Sequence, residues 1–224
     1  MSVIVFDAGG TLMEYIGMPS SWVKYYYEGF RNIAKKVNKS ITDDEMNKSV
    51  EIMKSFNPRI CYREIEYSPE YIFQHTLCHW NINYCLKSAI EDFFIGINLS
   101  VKIYPDVRPA IRSLKSQGHR IAILTDLPTA MPDELFRKHI ADLLPYIDCY
   151  VSSQSCGYRK PNIFGLQKIA EQYNTPITEL LFVGDEEKDK LTAHNAGCHF
   201  IHISRNSIND NDSIISIENI PELI

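Results

Sequence analysis

Strand–helix alternation predicts an α/β protein, a doubly wound parallel sheet with helices on both faces, into which a separate α-helical unit is inserted. Three observations carry this. Short β-rich runs alternate with helix-length segments in the first few residues and again from about residue 100 onward. A middle stretch, residues 15–99, holds 15 of the 25 aromatic residues although it is well under half of the 224-residue chain. That stretch also balances ten acids against ten bases, so the whole net charge of −5 falls on residues 1–14 and 100–224. The break predicts two units, a sheet core from 1–14 and 100–224 and a helical insert over 15–99.

The elements follow in chain order. Val3–Phe6 is an apolar run of strand length. From Ser20 the positions Trp22, Val23, Tyr26, Phe30, Ile33, Ala34 and Val37 recur at helical spacing. Thr42 with Glu45 forms a capping box that opens a second helix, with Met46, Val50, Met53 and Phe56 along one side. Ser68 before Pro69 is an N-cap followed by proline at the first helical position, and a fourth helix is expected over about 84–94. In the core, strands are expected at 120–124, 147–151, 180–183 and His199–Ile203. Helices are expected at 107–117, Asp133–His139, 161–173 and 189–196, with Gly118 and Gly197 as C-terminal stops. The polar tail at 206–212 is expected to be a loose loop.

Composition excludes several classes. A chain of this length buries about 70–75% of its unfolded surface without metal staples or disulfides. With 45% hydrophobic and 23% charged residues it is an ordinary globular composition. A net charge of −5 argues against a nucleic-acid-binding surface. No apolar run reaches the ~18 residues of a membrane span, and the N-terminus has no basic region or cleavage site, so a cytoplasmic location is expected. The six cysteines include no C-x-x-C pair and are expected to be reduced thiols.

In doubly wound sheets ligands bind beyond the carboxyl ends of the strands. Asp7 follows the first strand and leads into Ala8, Gly9, Gly10 and Thr11. Thr125 and Asp126 follow the second, Lys160 the third, and Gly184, Asp185 and Asp189 the fourth. Singly, each has an ordinary role: a strand-end Asp caps helices, a Thr satisfies its hydroxyl, a loop Lys is solvated. In this order at one sheet edge, the set resembles the haloacid dehalogenase superfamily. Asp7-Ala8-Gly9-Gly10-Thr11 matches its first motif, Thr125 its second, Lys160-Pro161 its third, and the stretch from Gly184 to Asp189 its acidic fourth. The insert sits where many members carry a helical cap on their Rossmann-like core.

The resemblance implies a Mg²⁺-dependent phosphatase acting on a small phosphorylated metabolite. Asp7 would be nucleophile and metal ligand, Gly9 would offer a carbonyl to the metal, and Asp185 would be the second carboxylate, with Asp189 as ligand or support. Gly10, Thr125, Asp126 and Lys160 would bind the phosphoryl group, with Thr125 and Lys160 counted catalytic. A carboxylate cluster without a cation would repel itself, so the acidic pair itself argues for a metal. One departure stands out. Family phosphatases usually carry a general acid two residues after the nucleophile, where this chain has Gly9. Such an acid contributes about 10²–10⁴-fold; Glu14 or a cap group would have to replace it. The departure raises two alternatives: a metal-independent 2-haloacid dehalogenase, disfavoured by the acidic motif, and a catalytically silent binding or regulatory module.

Other features have plainer readings. His75 and His79 stand one helical turn apart as a zinc pair would, yet no further ligand is evident and helix packing explains them. Tyr25, Tyr26 and Tyr27 fall on different helix faces. Arg59 and Arg63 are expected to be solvated unless they meet a substrate anion. His199 and His202 should point to opposite faces of the last strand.

Overall fold

The structure is a computed structural model that describes residues 2–19, 21–205 and 213–222; Ser20 and the expected loop at 206–212 lie outside the described residues. Its strands are β1 (Val3–Phe6), β2 (Met13–Tyr15), β3 (Val101–Ile103), β4 (Arg120–Thr125), β5 (Cys149–Ser152), β6 (Leu181–Gly184), β7 (His199–Ile203) and β8 (Ser213–Ile214). Its helices are α1 (Val23–Ala34), α2 (Asp43–Ser55), α3 (Pro69–Leu77), α4 (Leu86–Ile97), α5 (Val107–Ser116), α6 (Asp133–His139), α7 (Ser153–Cys156), α8 (Phe164–Tyr173) and α9 (Glu187–Ala196).

Six strands form one parallel sheet in the order β5-β4-β1-β6-β7-β8. All four residues of β1 are buried, because the strand is covered on both faces. Ile4 and Phe6 join one core with Ile121, Ile123, Val183 and the apolar side of α5. Val3 and Val5 join the opposite core with Ala122, Leu124, Phe182 and side chains of α8 and α9. The strict period-two division of β1 and β4 between two layers is what fixes their register. Pairing of Phe6 with Ile123 and Val183 then sets Asp7, Thr125 and Asp185 beside one another at the carboxyl edge.

The helices α1–α4 lie between β2 and β3, which pair antiparallel, Tyr15 opposite Val101 and Met13 opposite Ile103. They pack around Phe30, Phe73, Trp80 and Phe93, all fully buried. Phe93 meets Phe30 and Phe73 edge-on at centroid distances of 5.0 and 5.2 Å. The capping box forms as expected: Glu45 N donates to Thr42 Oγ1 at 3.2 Å and Thr42 N donates to Glu45 Oε2 at 2.9 Å. Several boundaries differ from expectation. The first helix stops at Ala34, short of Val37, where Lys36 N turns back to Ile33 O. The fourth runs later, to Ile97, and ends on Asn98 in a left-handed conformation. The helix expected from 161 begins at Phe164, because Asn162 Oδ1 accepts from Phe164 N in a local turn. No described helix is long and apolar enough to cross a membrane.

Candidate active site

Beyond β1, Asp7 N donates to Val183 O at 2.9 Å, so the backbone stays registered with β6 for one residue past the strand. The chain then turns sharply: Gly10 N donates to Met13 O, and Leu12 N and Met13 N both donate to Ala8 O. Gly10 has φ +80°, a conformation that favours glycine, and a Cβ at this position would overlap the Asp185 carboxylate. The turn therefore brings the end of β6 against the loop after β1, and Thr11 Oγ1 donates to Asp185 Oδ1 at 3.0 Å. At Gly9 the space where a Cβ would stand is open for 4 Å.

Carboxylate oxygens of Asp7, Asp185 and Asp189 lie within 4.8 Å of one another. Into this group reaches Lys160, buried, with Nζ 2.6 Å from Asp7 Oδ1 and 2.5 Å from Asp189 Oδ1. Asp189 is fully buried behind the lysine and is fixed from α9 itself, where its Oδ2 accepts from Glu186 N at 3.0 Å. Burial raises Asp7, partly offset by Lys160 and reinforced by Asp189 and Asp185, leaving it at about 7. Burial, with Asp189 and Glu186, likewise pushes Asp185 up to about 6. Burial would lower Lys160, but Asp189 and Asp7 outweigh it and hold the ammonium charged. Three carboxylates against one ammonium leave a negative, oxygen-only donor set. A hard divalent cation fits it, and binding would relieve the mutual repulsion that adds to burial in raising the two acids.

The strand-end residues matched to the four motifs converge here. Asp7, Gly9, Gly10, Thr125, Asp126, Lys160 and Asp185 line one cleft of about 1110 Å³, and only Asp189 is withdrawn from it. Asp126 is held in the cleft wall by its neighbours: its Oδ1 accepts from Lys160 N at 3.1 Å and its Oδ2 lies 3.3 Å from Lys188 Nζ. Burial opposes its charge, but Lys188, Arg159 and Lys160 bring it down to about 2. Glu14 also lines the cleft, ion-paired with Lys102 at 2.9 Å. The lining also includes the aromatic residues Tyr15, Trp22, Tyr26 and Phe136.

Of the two arginines, Arg59 remains exposed, as expected from sequence, whereas Arg63 is largely withdrawn from solvent, which corrects that expectation. Arg59 pairs with Glu186 across the cleft. Arg63, with 11% of its side chain exposed, donates to Phe56 O, Ile65 O and Glu66. Sequence reasoning also missed Glu66, Ser153 and Arg159, a buried cluster joining the insert to the loop before Lys160. Adjacency of Arg159 to Lys160 was the one available signal; nothing marked Glu66. His75 Nδ1 donates to Tyr71 O and His79 Nε2 donates to Glu45 O, so both rings serve helix packing. Among the described residues, Asp7, Asp185 and Asp189 form the metal-capable group. Tyr26 is buried, its hydroxyl accepting from Asn57 Nδ2 at 2.9 Å. Tyr25 and Tyr27 reach Gly17 O and Asp43 on other faces. His199 is exposed, whereas His202 Nε2 donates to Asp185 O at 3.2 Å. All six cysteines are free thiols.

Comparison with known proteins gives the same picture. A phosphoglycolate phosphatase of Vibrio vulnificus (strain YJ016) is 34% identical over 115 residues, 50% of this chain and 49% of that protein. One from Aliivibrio fischeri is 30% identical over 97 residues, 43% and 42% of the two chains. The chain thus matches about half the length of these curated relatives. Among solved structures, a HAD phosphatase from Thermococcus onnurineus superposes with a TM-score of 0.64 at 16% identity, covering 100% of this chain and 97% of that one. A 2-haloacid dehalogenase from Pseudomonas syringae pv. Tomato DC3000 gives the same values, so the shared feature is the fold. The family model for haloacid dehalogenase-like hydrolases matches residues 1–197, and the chain belongs to that family.

Proposed function

We propose that this chain is a Mg²⁺-dependent phosphoric monoester hydrolase in which Asp7 is the nucleophile. The observation that carries the reading is the bridge from Asp7 through Lys160 to Asp189, with Asp185 alongside, at the floor of an open cleft. A nucleophilic carboxylate must approach an anionic phosphoryl group, so positive charge has to be held beside it. Lys160 holds one such charge, fixed by two carboxylates and unable to leave. Asp7, Asp185 and the Gly9 carbonyl, with Asp189 behind them, would hold Mg²⁺, which when bound neutralises phosphoryl oxygens and favours ionised Asp7.

Asp7 attacks phosphorus, the P–O bond to the alcohol breaks, and an aspartyl-phosphate remains on the enzyme. Water then cleaves that acyl phosphate, releasing inorganic phosphate and restoring Asp7. Thr125, buried at the end of β4 and lining the cleft, would donate to a phosphoryl oxygen, and the backbone of the turn at Gly10 would bind the same group. With Gly9 contributing no acid, the proton for the departing alkoxide has to come from another group at the cleft, and Glu14 lines it. The helices of residues 15–99 serve as a cap over a core made of 1–14 and 100–224, excluding water from the charged centre. The substrate is a small phosphorylated metabolite met in the cytoplasm. Phosphoglycolate is the first to try, since the matched relatives are named for it.

The test is hydrolysis of p-nitrophenyl phosphate, followed by a panel of metabolite phosphoesters including phosphoglycolate. Activity is expected to require Mg²⁺ and to vanish in Asp7→Asn. Turnover that survives removal of divalent metal would sink the mechanism. Chloride release from 2-chloropropionate without metal would establish a dehalogenase instead. Turnover of neither class would leave the chain a binding module.

A further inference from the structure

We propose that Glu66, in the insert, is a positioning residue that sets Lys160 by holding Arg159. For its catalytic consequence this rests on the phosphatase reading above; its structural consequence does not. The segment between α2 and α3 lies along the loop that precedes Lys160 as a short antiparallel pair, Ile65 opposite Tyr158. Arg159 N donates to Glu64 O at 2.6 Å, and Glu66 N donates to Gly157 O at 2.9 Å. Asn162 Nδ2 donates to Glu64 Oε2 at 3.1 Å, so the contact brackets Lys160 on both sides.

The Glu66 carboxylate, 7% exposed, takes donors from three separate pieces of chain. Its Oε1 accepts from Arg63 Nη1 at 2.9 Å and from Tyr67 N at 3.0 Å. Its Oε2 accepts from Ser153 Oγ at 2.6 Å and from Arg159 Nη1. Arg159, 5% exposed, also donates to Leu127 O at 3.0 Å and lies 3.9 Å from Asp126 Oδ2. Asp126 in turn accepts from Lys160 N. Ser153 Oγ accepts from Leu127 N at 3.0 Å. One carboxylate thus gathers the loop after β4, which follows Thr125, and the loop after β5, which carries Lys160.

Surface ion pairs do little, but a buried guanidinium that loses its anion relaxes toward any other, here Asp126 or solvent. Either movement displaces the backbone that carries Lys160. A misplacement of about 1 Å can cost on the order of 10²-fold in rate. The neutral, equally sized Gln at position 66 tests this, because it keeps the shape and removes the charge. A clamp that only held the insert in place would affect stability without touching the two loops.

The experiment compares hydrogen–deuterium exchange and p-nitrophenyl phosphate kinetics for the full chain, Glu66→Gln, Ser153→Ala and Met53→Ala. Met53 is buried in the insert, away from the cleft, and controls for simple destabilisation. In Glu66→Gln, residues 125–129 and 153–162 are expected to exchange faster together with 62–67. Its kcat should fall about 10–100-fold while KM stays within about twofold. Ser153→Ala removes one donor to the same carboxylate and also the acceptor of Leu127 N, so it is read at 157–162 and 62–67, where the pattern should appear at smaller amplitude even if the Gln variant folds poorly. Met53→Ala should melt lower yet leave both the 153–162 exchange and kcat unchanged. Faster exchange confined to the insert in Glu66→Gln and Ser153→Ala, or a kcat loss no larger than in Met53→Ala, overturns the proposal. If wild type hydrolyses no phosphoester, the phosphatase reading fails while the exchange comparison still decides the coupling.

Discussion

At Gly10 a backbone requirement and a steric one coincide: φ is +80°, and the Asp185 carboxylate occupies the place of a Cβ. Gly10→Ala is expected to cost about 1–3 kcal/mol through the backbone alone, and to push Asp185 out of the acidic cluster. Thermal melting reads the first effect and the Mg²⁺ dependence of hydrolysis the second. Asp106 offers a separate test by pH. Burial opposes its charge, but Arg205, Ser216 Oγ and Ile217 N outweigh it and hold it below the usual 3.8. A depressed carboxylate contributes stability that is complete above its unfolded value and lost as pH falls through the folded one. The melting-temperature gap between wild type and Asp106→Asn should be widest above pH 3.8 and narrow below it. Asp7, Thr125 and Asp185 were legible from sequence because each stands at the end of a strand, where topology fixes its place, whereas Lys160, beyond β5 and α7, was legible only through its place in the order of motifs. Glu66 was not, since its partner Arg159 is 93 residues away and only the docked insert brings them together.

Where α1 crosses α4, each helix supplies a glycine. A Cβ on Gly29 would overlap the Phe93 ring, and one on Gly96 would lie 2.7 Å from Glu28 O. Alanine at position 29 gains about 1 kcal/mol of helix propensity. Forcing a methyl into a filled core costs about 1–3 kcal/mol. The second effect should win, because Phe93 is wedged among Tyr26, Phe30 and Phe73 and has nowhere to turn. Gly29→Ala is therefore expected to lower the melting temperature. Elements of this size differ in how plainly a sequence announces them. Thr42 with Glu45, and Ser68 with Pro69, mark helix starts through local side-chain chemistry. The three-residue strands β2 and β3 carry no periodicity long enough to notice, and they exist because each supplies the other's partners.

Across the whole molecule, one apolar cluster runs from Ile4 and Phe6 in the sheet through Leu12 and Met13 to Phe30 and Phe93 in the insert. The insert and the upper sheet layer therefore share a core, although their compositions differ. Phe93→Ala should cost about 3–5 kcal/mol and, because the core is shared, shift a single thermal transition rather than split it into two. Calorimetry distinguishes these outcomes.

The pairing of Tyr15 with Val101 has a consequence for chain entropy. It joins the two ends of the insert, so the sheet meets that long excursion as a closed loop whose mouth is one strand spacing wide. Closing a flexible loop of some 85 residues carries a length-dependent cost of about 4 kcal/mol, and doubling its length adds only about 0.6 kcal/mol. From the side of the sheet, the size of what is threaded through that mouth hardly matters. Helices of different length can be accommodated there, provided the core contacts and the segment carrying Glu66 are kept, while β1, β4 and β6 hold their register.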